Sequence, residues 1–126
     1  MVSKWDGLGG PSFRFEDLGR PAVFLIPVLK LTKRIGDKSA AQYLDDFLTQ
    51  NFGAFTRMII PNFGVWVGGK GTIVYDECAL YEVSFVGKEK ITLLAGLLAE
   101  LSRAIGEECI YFKAGQYASL IYPQTS

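Results

Sequence analysis

Histidine is missing altogether from these 126 residues. That removes the commonest general base and the commonest transition-metal ligand. Ser-His-Asp and Cys-His mechanisms are therefore excluded within the chain. Cysteine is scarce. Cys78 and Cys109 stand far apart, without zinc-finger spacing and in apolar, strand-like contexts, which reads as two buried free thiols. No apolar run approaches the ~20 residues of a membrane span; the longest, 22–29, contains Pro27 and stops at Lys30. The opening Met1-Val2-Ser3-Lys4-Trp5-Asp6 lacks the apolar stretch of a secretory leader, so a cytoplasmic location is expected. A surplus of charge is missing too, with 13 basic and 13 acidic residues. Nucleic-acid binders usually carry a basic excess, because phosphate neutralisation supplies much of their affinity. The nearest basic step, Lys30, Lys33 and Arg34, reads as a solvated loop.

What is present suits one packed domain. Hydrophobic residues make up 49% of the chain and aromatics 13%, enough for a core and too much for a disordered chain. Residues 1–20 read as an N-terminal arm, with Gly7, Gly9 and Gly10 among Trp5, Phe13 and Phe15. Its aromatics are expected to pin it to the domain or to a neighbouring subunit, since leaving each one wet forfeits ~1.5–3 kcal/mol. Residues 21–126 read as a single α+β domain.

Within it, 22–31 predicts a strand with an irregularity at Pro27, which has no N–H to give. Residues 37–52 predict a helix. Asp37 is the N-cap, or Ser39 with Gln42 one step later, and Ala40, Leu44, Phe47, Leu48 and Phe52 form the buried stripe. Asp45, Asp46, Thr49 and Gln50 fall on the outward face. A second strand covers 65–67, reaching back toward Met58. Gly68-Gly69-Lys70-Gly71 follows as a hairpin turn, and a third strand begins near Thr72 and is clearest over 79–86. Residues 88–105 carry the strongest helical signal, with Ile91, Leu94, Leu98, Leu101 and Ile105 in register and Gly106 as the stop. Residues 109–113 and 117–122 close the chain as extended segments around a turn. This order predicts a ferredoxin-like βαββαβ plait, with two helices on one face of an antiparallel four- to five-stranded sheet. The bare face is expected to show Phe24, Ile26, Val28, Leu80, Tyr111 and Ile121. A homodimer or higher homo-oligomer is expected to cover them.

Asn51-Phe52-Gly53-Ala54-Phe55-Thr56, Gly64-Val65-Trp66, Val74-Tyr75-Asp76-Glu77, Tyr81-Glu82-Val83 and 106–111 together resemble small bacterial ferredoxin-like proteins of unknown function. The likeness spans roughly residues 22–122. It implies the plait and brings no catalytic residues with it.

On that topology Thr56, Arg57, Asn62, Trp66, Tyr81 and Glu82 are expected to converge near the exit of the first helix. Arg57 is the natural anion partner, since a guanidinium offers two parallel donors. Trp66 is either a stacking wall or simple packing across the sheet. Thr56, Arg57, Trp66, Tyr81 and Glu82 are the expected ligand-binding set. Asp76, Glu77 and Glu82 are too spread along a strand for one metal ion and read as solvated charge. Gly68–Gly71 lacks phosphate-loop spacing and a following helix, and reads as a turn. No metal or cofactor is expected, and no catalytic residue can be named. The leading expectation is a non-catalytic oligomeric module that binds a small ligand or a protein partner. The alternative is a small enzyme whose acidic/Arg pocket uses Arg57, Tyr81 and Glu82, with or without a metal. Nucleic-acid binding through Tyr111 and Phe112 on the sheet comes last, because the charge is balanced and the RNA-binding consensus is missing.

Overall fold

The computed structural model describes residues 7–59, 63–67 and 73–124, with the backbone alone at 63–67 and 73–76. Residues 7–19 form neither helix nor strand apart from one bridge between Gly10 and Phe13. Phe13 and Phe15 meet edge to face at 5.8 Å, and both stay largely exposed. The arm joins the domain at Gly19, whose φ is +87° and where a Cβ would lie 2.0 Å from the Phe85 carbonyl oxygen. Only glycine fits there.

Strand β1 (Arg20–Pro27) ends at its proline, and the chain coils into a 3-10 helix (Val28–Thr32). The expected strand to residue 31 is thus too long. Pro27 stops it rather than kinking it, and Leu29 is left 88% exposed. A small hairpin, β2 (Arg34–Ile35) and β3 (Lys38–Ser39), leads into helix α1 (Ala40–Phe52). Asp37 sits in that hairpin's turn, and the cap is Ser39, whose hydroxyl accepts from the Gln42 amide at 3.1 Å. Strand β4 (Thr56–Met58) and strand β5 (Phe63–Val67) follow as two pieces. Strand β6 (Ile73–Phe85) serves both in turn. The turn at 68–72 lies outside the described residues. Helix α2 (Lys88–Ile105) ends at Gly106 in the left-handed conformation, φ 75°. Ser102 is buried there and donates to the Glu107 carbonyl at 2.7 Å, while the Glu107 amide returns to the Ser102 carbonyl. The chain closes with the hairpin of β7 (Ile110–Ala114) and β8 (Tyr117–Ile121).

The protein is an α+β domain whose antiparallel sheet runs β4-β6-β1-β7-β8, with β5 paired to the far part of β6. Register fixes the faces. Phe24 stands opposite Tyr81 on one side and Phe112 on the other, and Ala22 opposite Val83 and Ala114. These side chains, with Ile26, Ala79 and Ile110, bury against Leu44 and Leu48 of α1 and against Leu94, Leu98, Leu101 and Ile105 of α2 in one core. The other face carries Thr56, Met58, Val23, Leu25, Leu80, Glu82, Tyr111, Lys113 and Leu120, placed there by strand alternation and pairing. Phe24 and Ile26 are therefore not on the bare face as expected; they lie at the bottom of the core, and Val23 and Leu25 take the outer positions. Val28 has left the strand, and Ile121, opposite Ile110, shares the helix side. Leu80 and Tyr111 do face outward.

Candidate functional site

The connection from α1 to β4 is only Gly53 to Phe55, so β4 passes along the flank of the helix that precedes it. Arg57 is directly opposite Tyr81 in the β4–β6 register, which turns both toward the helices. From α1, Asp45 reaches the same place. Arg57 Nη1 donates to both Asp45 carboxylate oxygens, at 2.9 and 3.0 Å. The side chains are 33% and 26% exposed, so the pair lies at the mouth of the core rather than inside it.

Beneath the pair, the Tyr81 ring is fully buried. It stacks on Phe24 with centroids 5.1 Å apart and planes 1° apart, and leans on Phe55 at 6.2 Å. The Arg57 guanidinium carbon lies 5.9 Å from the Tyr81 ring centre, within cation–π reach. The Tyr81 hydroxyl is buried and has no partner in hydrogen-bonding geometry among the described residues. Arg57 is near enough to act on it electrically without meeting that geometry. Burial pushes the phenol's pKa up, Arg57 pulls it down, and Asp45 adds to the rise. The same phenol oxygen, then Asp45, holds the Arg57 proton more firmly than usual, against the effect of burial.

The expected ligand-binding residues divide between the two faces. Arg57 and Tyr81 come together on the helix side. Thr56 and Glu82 stand opposite each other on the bare side, both exposed. Trp66 pairs with Val74 in the β5–β6 ribbon; its side chain, like Asn62, lies outside the described residues. The single convergence expected of these residues does not form, because neighbours along a strand point oppositely. Glu77 is exposed, the side chain of Asp76 is not among those described, and no group of three or more His, Cys, Asp or Glu able to hold a metal occurs among the described residues. Cys78 is buried but Cys109 only half-buried, its pKa raised chiefly by that burial. Asp45 is the residue sequence reasoning missed, having assigned it to solvent.

Two further polar links tie α1 down. Lys38 Nζ bonds Asp46 at 2.7 Å, with Gln42 on the other carboxylate oxygen at 2.6 Å. Lys90 at the start of α2 donates to the Asn51 carbonyl at 2.7 Å and lies over the Phe52 ring. Neither leaves a free functional group of the kind Tyr81 presents.

Fold and site define the class: an α+β antiparallel-sheet domain with an Arg–Asp pair at the rim of an aromatic core, and no helix long and apolar enough to cross a membrane among the described residues. No family model and no curated protein matches the chain. Solved structures similar to it include a phage SAM lyase in complex with S-methyl-5'-thioadenosine, at 14% identity and a TM-score of 0.57, covering 90% of this chain and 96% of that one. A phage SAM lyase in the apo state is similar at 16% identity and a TM-score of 0.52, covering 86% and 92%. At such identities the likeness is one of fold. The expectation of a non-catalytic binding module is corrected by it, because the solved chains that share this fold over nearly their whole length are an enzyme.

Proposed function

We propose that this chain is a small enzyme that cleaves S-adenosylmethionine and releases S-methyl-5'-thioadenosine. The observation that carries the reading is the fold likeness to phage SAM lyase, which covers 90% of this chain and 96% of that one. The chemistry suits a protein without histidine. The sulfur of S-adenosylmethionine is a sulfonium. When its bond to the amino-acid chain breaks, the electron pair passes to sulfur and a neutral thioether departs, so no acid has to protonate the leaving group. The carbon left behind must regain an electron pair, from an oxygen nucleophile or from an adjacent C–H bond whose proton passes to a basic oxygen. Neither route calls for a metal. On the domain's rim, Asp45 and Arg57 offer one charge of each sign beside the aromatic surface of Phe55.

In this reading the domain is a ferredoxin-like plait with β8 added at one edge. The strand order β4-β6-β1-β7 supports it, being the order that two interleaved strand–helix–strand units produce. The half-apolar outer face, with Val23, Leu25, Leu80, Tyr111 and Leu120, is read as packing against further copies of the chain. Light scattering at micromolar concentration tests that part, and a strict monomer would remove it. The activity is tested by incubating the purified protein with S-adenosylmethionine and separating the products by chromatography. Release of S-methyl-5'-thioadenosine well above the protein-free control is the expected result. A rate equal to the control would overturn the proposal.

A further inference from the structure

Asp45 engages Arg57 through Nη1 alone. The other edge of the guanidinium, formed by Nε–H and Nη2–H, is the side-on fork that fits a carboxylate. No hydrogen bond from that edge is found among the described residues. The Tyr81 hydroxyl is near enough to the guanidinium to act on it, is wholly buried and has no hydrogen-bond partner among the described residues. A buried hydroxyl left unpaired is unfavourable by about 1–3 kcal/mol, and native interiors rarely tolerate one without a reason. The phenol oxygen and Asp45 both hold the guanidinium's charge, while the phenol's own proton has no acceptor among the described residues. The exposure of Arg57 and Asp45, a third and a quarter of each side chain, leaves the way to them open.

We infer that the Arg57 fork and the Tyr81 hydroxyl form the subsite for the carboxylate of the substrate's amino-acid tail, with Asp45 holding the guanidinium in place and facing the tail's ammonium. This rests on the proposed cleavage of S-adenosylmethionine and names the part of that molecule the site reads. Arg57 is a substrate-binding residue in this arrangement and Asp45 a positioning residue. The Arg57–Asp45 couple is a mirror of the zwitterion it receives: carboxylate toward guanidinium, ammonium toward carboxylate. Losing the substrate carboxylate would strand the fork and the phenol, which is the kind of unpaired burial that gives an enzyme its sharpest discrimination.

The test is calorimetric titration in the cold, before turnover, with three ligands: S-adenosylmethionine, its decarboxylated analogue, and S-methyl-5'-thioadenosine. The wild-type protein is expected to bind S-adenosylmethionine about tenfold to a hundredfold more tightly than the decarboxylated analogue, the size of a charged hydrogen-bonded contact. Arg57→Gln should erase that ratio and leave S-methyl-5'-thioadenosine binding unchanged. Arg57→Lys, which keeps the charge without the fork, should lower the ratio part of the way, and Tyr81→Phe should lower it by a smaller factor. If Arg57→Gln loses S-methyl-5'-thioadenosine binding as well, its fold has failed and the Lys and Phe variants decide. Equal affinity of the wild type for S-adenosylmethionine and its decarboxylated analogue would overturn the subsite and leave the cleavage proposal standing. A wild type that binds none of the three would overturn both.

Discussion

Phe24 and Tyr81 face each other across the β1–β6 pair with their ring planes nearly parallel and their centroids 5.1 Å apart, on the sheet's buried side. Their contributions to stability should differ in sign on truncation. Phe24→Ala removes a fully buried ring and should lower stability by about 3–5 kcal/mol, a large part of the 5–15 kcal/mol typical of a domain. Tyr81→Phe keeps the ring and deletes a hydroxyl that has no partner among the described residues, so it should leave stability unchanged or raise it by about 1 kcal/mol. Urea denaturation of the two variants beside the wild type measures both. A Tyr81→Phe protein that is destabilised would show that the hydroxyl has a partner.

Tyr81 also sets an alkaline limit. Its pKa is raised above the ordinary 10.0, chiefly by burial. Between 10.0 and the raised value the unfolded chain has lost this proton while the folded chain keeps it. The unfolded state then binds fewer protons, so stability falls as pH rises. Below pH 10 the contribution is fully present. Thermal denaturation followed upward from pH 9 should therefore decline more steeply in the wild type than in Tyr81→Phe. Parallel curves for the two proteins would remove Tyr81 as the cause.

The N-terminal cap of α1 is a single hydroxyl. Ser39→Ala should lower stability by about 1 kcal/mol, because the Gln42 amide loses its acceptor. Ser39→Asp should retain most of it, and the comparison of both by chemical denaturation separates the cap from any effect of the neighbouring hairpin.

Two glycines should behave unequally. At Gly106 the backbone is left-handed, and an added Cβ would meet only the flexible ends of Lys33 and Lys30, at 3.5 and 3.7 Å. Gly106→Ala should therefore show mainly the backbone penalty, about 1 kcal/mol. At Gly19 the same addition strikes the Phe85 backbone carbonyl at 2.0 Å, and the end of β6 must move. Gly19→Ala should be the more damaging of the two in melting temperature, and the reverse order would mean that the arm's junction yields easily.

How far the sequence foretold this fold depends on how one-sided each segment is. Helix α2 is legible to the residue, because its leucines recur at helical spacing and Gly106 marks the end. β1 is not, since Val23, Phe24, Leu25 and Ile26 are apolar on both sides; only pairing with Tyr81 and Phe112 decides which side is buried. The sequence singled out Arg57 and Tyr81 together, and the register sets them directly opposite each other. Their separation from Thr56 and Glu82 was equally available, since adjacent positions on one strand cannot share a face. Asp45 was hidden for a different reason. Helical periodicity marks the core stripe and treats the rest as solvent, yet a helix flank can be shadowed by the next strand, and here β4 does so.

Strand β6 has one further consequence. Its last eight residues pair with β1, while Ile73 to Glu77 pair with β5 alone. One unbroken strand thus belongs to the helix-covered sheet at one end and to a two-stranded finger at the other. The finger inherits its orientation from the core through the backbone. A residue inserted between Glu77 and Cys78 would leave the core pairing intact while inverting which side of the finger each of its side chains occupies.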